Sequence, residues 1–320
     1  MPVCRICGSQ DEHRRMRARE MMFGFGDTFD YFECSSCGCV QIESIPADLA
    51  RFYPEGYYSF SAAMGAAPQN PARAWLRRRR NRALVHGGGA FDRWLARRFP
   101  EPNLASLEPL GLRPHHRILD VGCGSGHLLH ALRDLGFRHL FGIDAFVPGG
   151  YDLPGLSIRR GSLSDLTESY DVILFHHSFE HVPDPLAALE QARDRLASGG
   201  VCVLRIPTVS SYAWRHYGTD WVQFDAPRHL HLFSVASVHR IVERAGLVVQ
   251  AVRDVSTAFQ FWGSEQYRRG IALESERSYS RNRALSMFTR DEIRAFARRA
   301  EELNRKREGD EIAVSLWPAV

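Results

Sequence analysis

Short apolar runs alternate with helix-forming stretches through the middle of the 320-residue chain. The clearest runs lie at 118–121, 139–144, 170–175 and 201–206, and a further run includes Ile158. Each is short enough for a strand, and the intervening stretches are long enough for helices. Residues 106–207 are therefore predicted to supply five strands of a mostly parallel sheet, with helices between them.

The pattern changes after Pro207. Residues 208–234 are rich in aromatic side chains, histidine and turn formers, which predicts a cap over a substrate. The candidates for lining an acceptor pocket in this segment are Trp214, Tyr217, Trp221, Phe224, Asp225 and Arg228. Val235–Ala245 is predicted to be a helix ended by Gly246, and 247–255 and 311–317 to be the sixth and seventh strands. Residues 258–306 are predicted to be a helical insertion between those two strands, serving as a cap or a subunit contact.

A glycine-rich turn follows the first of these strands. Residues 118–126 have the sequence I-L-D-V-G-C-G-S-G, and Asp144 ends the second strand eighteen positions later. Such a turn brings bare backbone to a ligand at a helix N-terminus, and a carboxylate at the tip of the next strand can accept two ribose hydroxyls. The pattern predicts a nucleoside-cofactor site.

Charge indicates which cofactor the turn accepts. A dinucleotide would place an anionic pyrophosphate beside Asp120, where the two negative charges repel. S-adenosylmethionine (SAM) has no phosphate and carries an ammonium and a sulfonium, so an acidic turn attracts it. We therefore expect a methyl donor at this turn. The alternative is another doubly wound fold with a glycine-rich turn.

Over roughly residues 106–255, these features in this order resemble class I SAM-dependent methyltransferases. The resemblance implies a Rossmann-like α/β fold with a seven-stranded, mostly parallel sheet. It also implies cofactor contacts from the glycine turn and the ends of the next strands: Asp120, Gly122, Cys123, Gly124, Gly126, Asp144, Ala145, Ser162, Leu163 and His177.

The segment after the fourth strand, His176–His181, bears on the acceptor. It lacks the Asn/Asp-Pro-Pro-aromatic motif of many N-methylating enzymes and is more similar to the Glu-x-x-Glu-His of ubiquinone-pathway O-methyltransferases, with His177 in place of the first carboxylate. Three roles stay open here. His181 is a general base, or His177, Glu180 and His181 share a metal, or the segment is structural.

A second candidate is the run Arg228–Ser234, which contains His229 and His231. Alternation predicts that both histidines face one side. The run resembles a segment of bacterial methyltransferases associated with surface-glycan and sugar pathways, some of which share the aromatic stretch Phe52–Tyr58. His231 is the predicted base for a sugar hydroxyl. The alternative is that one histidine satisfies backbone groups in a turn and Ser234 caps the next helix.

Five of the seven cysteines lie in the first forty residues. Two C-x-x-C pairs, each followed by glycine, suit a structural zinc ion. The predicted ligands are Cys4, Cys7, Cys34 and Cys37. Cys39 is predicted to be a spare thiol, and Cys123 and Cys202 to be packed. Disulfides are the alternative, disfavoured by a reducing compartment.

Residues 73–98 hold nine arginines and a single acidic residue, Asp92, a local net charge of +8 against +4 for the whole chain. Three interpretations are open for this segment: a solvated helix face, contact with an anionic membrane surface, or contact with nucleic acid. No apolar run approaches the roughly 18 residues of a membrane span. We expect a cytoplasmic protein.

Together, these patterns predict three regions: a zinc-binding ribbon-like unit at 1–45, an aromatic and basic helical linker at 46–105, and a methyltransferase domain at 106–320. The expected activity is O-methylation of a hydroxyl on a sugar, a nucleotide sugar or a lipid-linked glycan. An RNA methyltransferase that grips phosphates with the arginine segment is one alternative, and a non-catalytic SAM-binding scaffold is another. The sequence does not define an oligomeric state.

Overall fold

The computed structural model describes residues 2–54, 70–147 and 149–319, so residues 55–58 of the aromatic stretch lie outside the described residues. The strands are β1 Arg14–Arg19, β2 Thr28–Glu33, β3 Val40–Ile42, β4 Ile118–Val121, β5 Leu140–Asp144, β6 Tyr151–Leu153, β7 Leu156–Arg160, β8 Tyr170–His176, β9 Leu196–Pro207, β10 His231–Leu232, β11 Leu247–Asp254 and β12 Glu311–Pro318. The helices are α1 Pro71–His86, α2 Ala90–Arg98, α3 Pro102–Ala105, α4 His127–Asp134, α5 Pro185–Asp194, α6 Tyr212–Tyr217, α7 Val235–Arg244, α8 Phe259–Arg268 and α9 Arg290–Arg305.

The chain divides into two compact units. The first consists of Met1–Pro54, Phe179–Leu189 and Ile206–Val320, and is called the cysteine unit below. The second consists of Glu55–Ser178 and Glu190–Arg205, and is called the parallel-sheet unit. In the described part of the chain, no helix is long and apolar enough to cross a membrane.

The parallel-sheet unit contains strands in the order β9-β8-β4-β5-β7-β6. The first five pair in parallel, and β6 pairs antiparallel with β7 at the edge. Strand order therefore reverses on either side of β4, which is where open α/β sheets bind ligands, beyond the carboxyl ends of the strands. The predicted mostly parallel α/β fold is confirmed.

The cysteine unit is built on a four-stranded antiparallel sheet in the order β1-β2-β3-β10. Strand β10 comes from a segment about 190 residues after β3 and pairs His231 with Gln41 and Leu232 with Val40. Residues 1–45 thus share a sheet with the predicted cap segment. The two segments also share one apolar core, in which Tyr31 meets the ring of Phe224 edge-on at 4.7 Å.

This core changes the interpretation of residues 208–234. Their aromatic side chains were candidates for lining an acceptor pocket, but Trp214, Trp221 and Phe224 are buried in the core with Tyr31 and Ile42. The physical reason is that a segment as short as 1–45 has too few apolar residues to form a core unaided, and 208–234 supplies the missing partners. The pocket-lining prediction for these rings is therefore wrong.

Strands β11 and β12 form an antiparallel pair, as expected for the sixth and seventh strands. The insertion between them is helical only in part, since α8 and α9 are separated by turns over residues 269–289. Thr289 begins α9 with a capping box, because its side chain accepts from the backbone N–H of Glu292 and the Glu292 side chain accepts from the Thr289 N–H. The helical insertion predicted for 258–306 thus consists of two helices joined by turns.

Candidate functional site

The glycine turn between β4 and α4 lies at the carboxyl end of the central parallel strand. Gly122, Gly124 and Gly126 all have positive φ, at 75°, 52° and 79°. A Cβ added at Gly122 would lie 2.4 Å from Cβ of Ser178, and one at Gly126 would lie 2.0 Å from Cδ1 of Ile158. The turn therefore requires glycine for both its backbone conformation and its packing.

Asp144 holds this turn in place from the end of β5. One carboxylate oxygen accepts the backbone N–H of Gly124 at 2.9 Å, and the other accepts that of Phe146 at 2.8 Å. A carboxylate offers about four lone-pair positions, so two remain for further donors. The arrangement can accept a pair of ribose hydroxyls while the backbone keeps the carboxylate oriented.

Asp120 lies at the end of β4 with only 3% of its surface exposed. Burial, reinforced by the nearby Asp144 carboxylate, raises the pKa of Asp120 to about 8. Its carboxyl group is therefore largely protonated at pH 7 in the absence of a cation. A positively charged ligand would favour the ionised form, whereas a pyrophosphate would oppose it. The turn thus fits SAM, which would supply an activated methyl group there.

The remaining predicted cofactor residues follow the carboxyl ends of neighbouring strands in the same unit. Ala145 comes after β5, Ser162 and Leu163 come after β7, and His177 comes after β8 with a positive φ of 54°. Ser162 caps a short 3-10 turn, in which its N–H donates to Asp165 at 2.7 Å. Cys123 lies inside the glycine turn. The structure brings these residues to one edge of the sheet.

Phe146 was not among the sequence-based candidates. Its ring is 53% exposed and follows Asp144 by two residues, where a flat apolar surface can support a nucleobase. The sequence did contain a signal for it, because an aromatic residue follows closely after Asp144, the acidic residue at the end of β5.

The predicted zinc ligands form a second candidate site, in the cysteine unit. Cys4, Cys7, Cys34 and Cys37 place their sulfur atoms within 4.8 Å of one another, with Cys4–Cys37 and Cys7–Cys34 each at 3.6 Å. A tetrahedral zinc site with Zn–S bonds of about 2.3 Å separates its sulfurs by about 3.8 Å, so the four thiols have the spacing that zinc needs.

The surroundings of the four thiols suit the same metal. The amide of Gln41 donates to Sγ of Cys4 at 3.0 Å, as expected of a group that supports a metal-bound thiolate. The hydrogen bond with Cys37 lowers the pKa of Cys4 to about 4. Gly8 and Gly38, which follow the second cysteine of each pair, have φ of 76° and 69°. Cys39 is fully buried and lies outside this cluster.

A third cluster, also in the cysteine unit, brings Glu180, His181 and His229 together. One potential ligand atom from each lies within 4.8 Å of the others, and the two imidazole rings are 4.8 Å apart. Glu180 is fully buried and His229 is 6% exposed, whereas His181 is half-buried. This trio is the acid-base cluster. Its oxygen and nitrogen atoms could also hold a divalent cation.

Backbone carbonyls determine which nitrogen of each ring is basic. Nδ1 of His181 is 2.8 Å from the Arg228 carbonyl oxygen, and Nδ1 of His229 is 2.8 Å from that of Gln223. A carbonyl oxygen only accepts, so each ring carries its hydrogen on Nδ1 and its lone pair on Nε2. Burial, reinforced by His181, lowers the pKa of His229 to about 4, so His229 is neutral near pH 7.

His231 lies elsewhere in the unit. It is fully buried in β10, and its ring stacks on Phe233 at 5.9 Å. Burial, with Arg5 nearby, lowers the pKa of His231 to about 3. The strand begins only at His231, so the alternation predicted across 228–232 does not reach back to His229. That is why the sequence pattern did not reveal His229 as the neighbour of His181.

Tyr53 is the other residue at the acid-base cluster that the sequence did not reveal. Its hydroxyl is 3.3 Å from Nδ1 of His181. Tyr53 belongs to the aromatic stretch that is shared with some glycan-associated enzymes. No local signal could have linked it to a residue 128 positions later.

Replacing Asp144 with alanine is expected to weaken SAM binding at least tenfold, because hydrogen bonds to a charged group are lost and the Gly124 N–H loses its acceptor. Isothermal titration calorimetry measures the change. Asp152→Ala, at an exposed position on β6, is the matched control and should bind normally. Unchanged affinity in Asp144→Ala would remove Asp144 from the cofactor site.

The raised pKa of Asp120 predicts a pH-dependent affinity. Below pH 8 a bound cation must displace the Asp120 proton, so the affinity of the wild-type protein relative to Asp120→Asn should rise with pH, by up to about tenfold per unit, and level off above pH 8. Comparing the two proteins cancels the titration of SAM itself. A ratio that is flat from pH 6 to 9 would refute the charge argument.

Purified protein is expected to carry one zinc ion per chain by elemental analysis. Removing it with a strong chelator should lower Tm by about 10 °C or more, since a structural zinc contributes several kcal/mol. Cys37→Ser should lose the metal, while Cys39→Ala should retain it. A Tm indifferent to chelation, or metal retained in Cys37→Ser, contradicts the assignment.

Comparison with known proteins agrees with this geometry. A family model described as a methyltransferase domain matches residues 82–252, more than half of the chain. A ubiquinone biosynthesis O-methyltransferase of Cereibacter sphaeroides is 32% identical over 148 residues, covering 41% of this chain and 60% of that protein. A trans-aconitate 2-methyltransferase of Deinococcus radiodurans is 27% identical over 124 residues, covering 37% and 47%.

The chain thus spans about 60% of the length of the ubiquinone enzyme. A solved complex between the Haloferax volcanii Trm112 methyltransferase activator and a putative methyltransferase matches with a TM-score of 0.46 and 20% identity, covering 75% of this chain and 97% of that one. The glycine turn, its acidic strand ends and the matching family model lead to one conclusion. The chain belongs to the methyltransferase-domain family, among the class I SAM-dependent methyltransferases.

Proposed function

We propose that this protein transfers the methyl group of SAM to a hydroxyl of a sugar, a nucleotide sugar or a lipid-linked glycan. The observation that carries the proposal is the orientation of His181. Its Nδ1–H is held by the Arg228 carbonyl at 2.8 Å, so its basic Nε2 is available to accept a proton. A hydroxyl acceptor needs such a group, because its proton has to leave as the oxygen forms a bond to the methyl carbon.

Within this proposal, the residues of the chain have the following roles. SAM bound at the glycine turn would supply the electrophilic methyl group, and its sulfur would retain the electron pair of the broken carbon–sulfur bond. Asp144 and Asp120 bind and orient it. His181 accepts the hydroxyl proton at Nε2. Glu180 and the neutral ring of His229 keep the imidazolium form of His181 in a polar environment after the transfer.

Two observations support a hydroxyl acceptor, and a third supports a sugar. The segment His176–His181 lacks the Asn/Asp-Pro-Pro-aromatic motif expected for amide or base nitrogens, and a relative of the chain is named as an O-methyltransferase. The run Arg228–Ser234 resembles glycan-associated enzymes, and the structure gives that run a direct link to His181 through the Arg228 carbonyl.

We assign the base to His181 in preference to His231, the other candidate. His231 is fully buried and its pKa is lowered to about 3, which opposes proton transfer near neutral pH. His181 is half-buried and its ring is anchored at one nitrogen only. A general base must reach the proton that it removes, and this requirement favours the more accessible ring.

We further propose a structural zinc at the four cysteines and a cytoplasmic location, where thiols stay reduced and available to the metal. The zinc-binding role of residues 1–45, the linker role of 46–105 and the methyltransferase role of 106–320 remain part of this proposal. Within it, the zinc holds β1–β3 in the shape that receives β10, the strand that begins two residues after His229.

His181→Ala is expected to reduce kcat by roughly 100-fold or more with an unchanged Kd for SAM, because only the proton acceptor is removed. The assay follows a radiolabelled methyl group from SAM into the nucleotide-sugar and lipid-linked glycan fractions of a bacterial extract. Added imidazole should restore part of the rate, which it would not do if His181 were only structural.

His239→Ala, an exposed histidine on α7, is the matched control and should turn over normally. His231→Gln should retain a near-normal kcat if it folds, as judged by its SAM affinity. A normal kcat in His181→Ala combined with a large loss in a folded His231→Gln would reverse the assignment. Methyl transfer only into RNA, with steep salt dependence, would replace the acceptor class.

A further inference from the structure

Helices α1 and α2 expose large apolar side chains to solvent. Trp75 and Trp94 are 52% and 56% exposed, and Leu76, Phe91 and Phe99 are 37%, 46% and 50% exposed. These five residues form the apolar part of what we call the aromatic–arginine patch. Exposed tryptophans at this density are unusual on a surface that contacts only water, because burial of an aromatic ring is favourable.

The rings of the patch lie side by side. The Trp75 and Phe91 centroids are 6.4 Å apart, and Phe91 stacks on Trp94 at 6.0 Å. The Arg79 guanidinium lies over both Trp75 and Phe91, at 5.0 and 5.5 Å. Trp75, Phe91 and Trp94 therefore form one contiguous surface that joins the two helices, with the Arg79 cation held among the rings.

Most arginines around the patch keep their charge uncompensated. Carboxylates pair with Arg77, Arg79 and Arg80. Among the ion pairs of the described residues, none involves Arg82 or Arg98, two exposed arginines that lie seven residues after Trp75 and Phe91 and so share their helix faces. A cleft of about 1010 Å³ beside α1 adds Arg78, His86 and Arg113 to the basic surface.

We propose that the aromatic–arginine patch docks on a bilayer containing anionic phospholipid. Tryptophan rings insert at headgroup depth, leucine and phenylalanine side chains reach the acyl boundary, and the arginines contact lipid phosphates. Single-stranded nucleic acid is also bound by rings and arginines, but through a groove that follows its backbone. The rings of the patch instead lie open on two helices, with Arg79 among them and Arg78 and Arg82 lining the same cleft as Trp75.

The test is flotation of the full chain with vesicles of neutral phosphatidylcholine or of phosphatidylcholine with about one-third phosphatidylglycerol. Wild-type protein should float only with the anionic vesicles, and less as salt rises. Each arginine at an anionic surface contributes about fivefold to partitioning, so Arg78→Gln/Arg82→Gln/Arg98→Gln should reduce it by about 100-fold. Trp75→Ala/Trp94→Ala should reduce it at least tenfold.

The matched control is Arg294→Gln/Arg298→Gln/Arg305→Gln, which removes the same charge from the exposed face of α9. It should float like wild type. SAM affinity checks the fold of every variant, and methyl transfer to a soluble nucleotide-sugar fraction should be unaffected by the patch variants, so failure here leaves the proposed function standing. Three outcomes overturn the proposal: no flotation of the wild type, equal loss in the control, or tighter binding to a single-stranded RNA than to the vesicles at the same salt.

Discussion

A guanidinium without solvent exposure has to find its hydrogen-bond acceptors inside the protein, and Arg228 finds them in three segments of the cysteine unit. It donates to Glu20 at 2.9 Å, to Asp225 at 2.6 Å and to the Phe52 carbonyl at 3.1 Å. Burial lowers the pKa of Arg228, but the two carboxylates outweigh burial and raise it above its ordinary value. Removing one partner of such a buried group typically costs about 3–5 kcal/mol.

The acid-base cluster depends on this ion network. Burial alone would raise the pKa of Asp225, but Arg228 and the neighbouring histidines lower it below its usual value, so Asp225 stays ionised. Glu20 also accepts the backbone N–H groups of residues 22–25, which fixes the loop after β1. With its side chain held in this way, Arg228 places its backbone carbonyl against Nδ1 of His181. The next residue, His229, then packs its ring against that of His181.

The sequence predicted the parts of the protein that are determined locally. The glycine turn, Asp120, Asp144 and the five parallel strands depend on residues that are close in the chain, and so do the two C-x-x-C pairs. The position of His229 beside His181 depends on Arg228 and Glu20, which are 208 residues apart. The burial of Trp214 and Trp221 depends on Tyr31 and Ile42. Neither the position of His229 nor the burial of these tryptophans produces a local sequence pattern. The aromatic composition of the segment therefore suggested a pocket, although its rings form part of the apolar core.

The two-residue strand β10 carries one more implication. It covers the open edge of β3 through the pairs His231–Gln41 and Leu232–Val40, and the Tyr31 hydroxyl donates to the His229 carbonyl at 2.9 Å. An amino-terminal fragment expressed alone would leave that edge unsheltered and prone to pair with other chains. The cysteine-bearing segment is thus not an independent folding unit. It could be recombined into another enzyme only together with a strand that pairs with β3 in a compatible register.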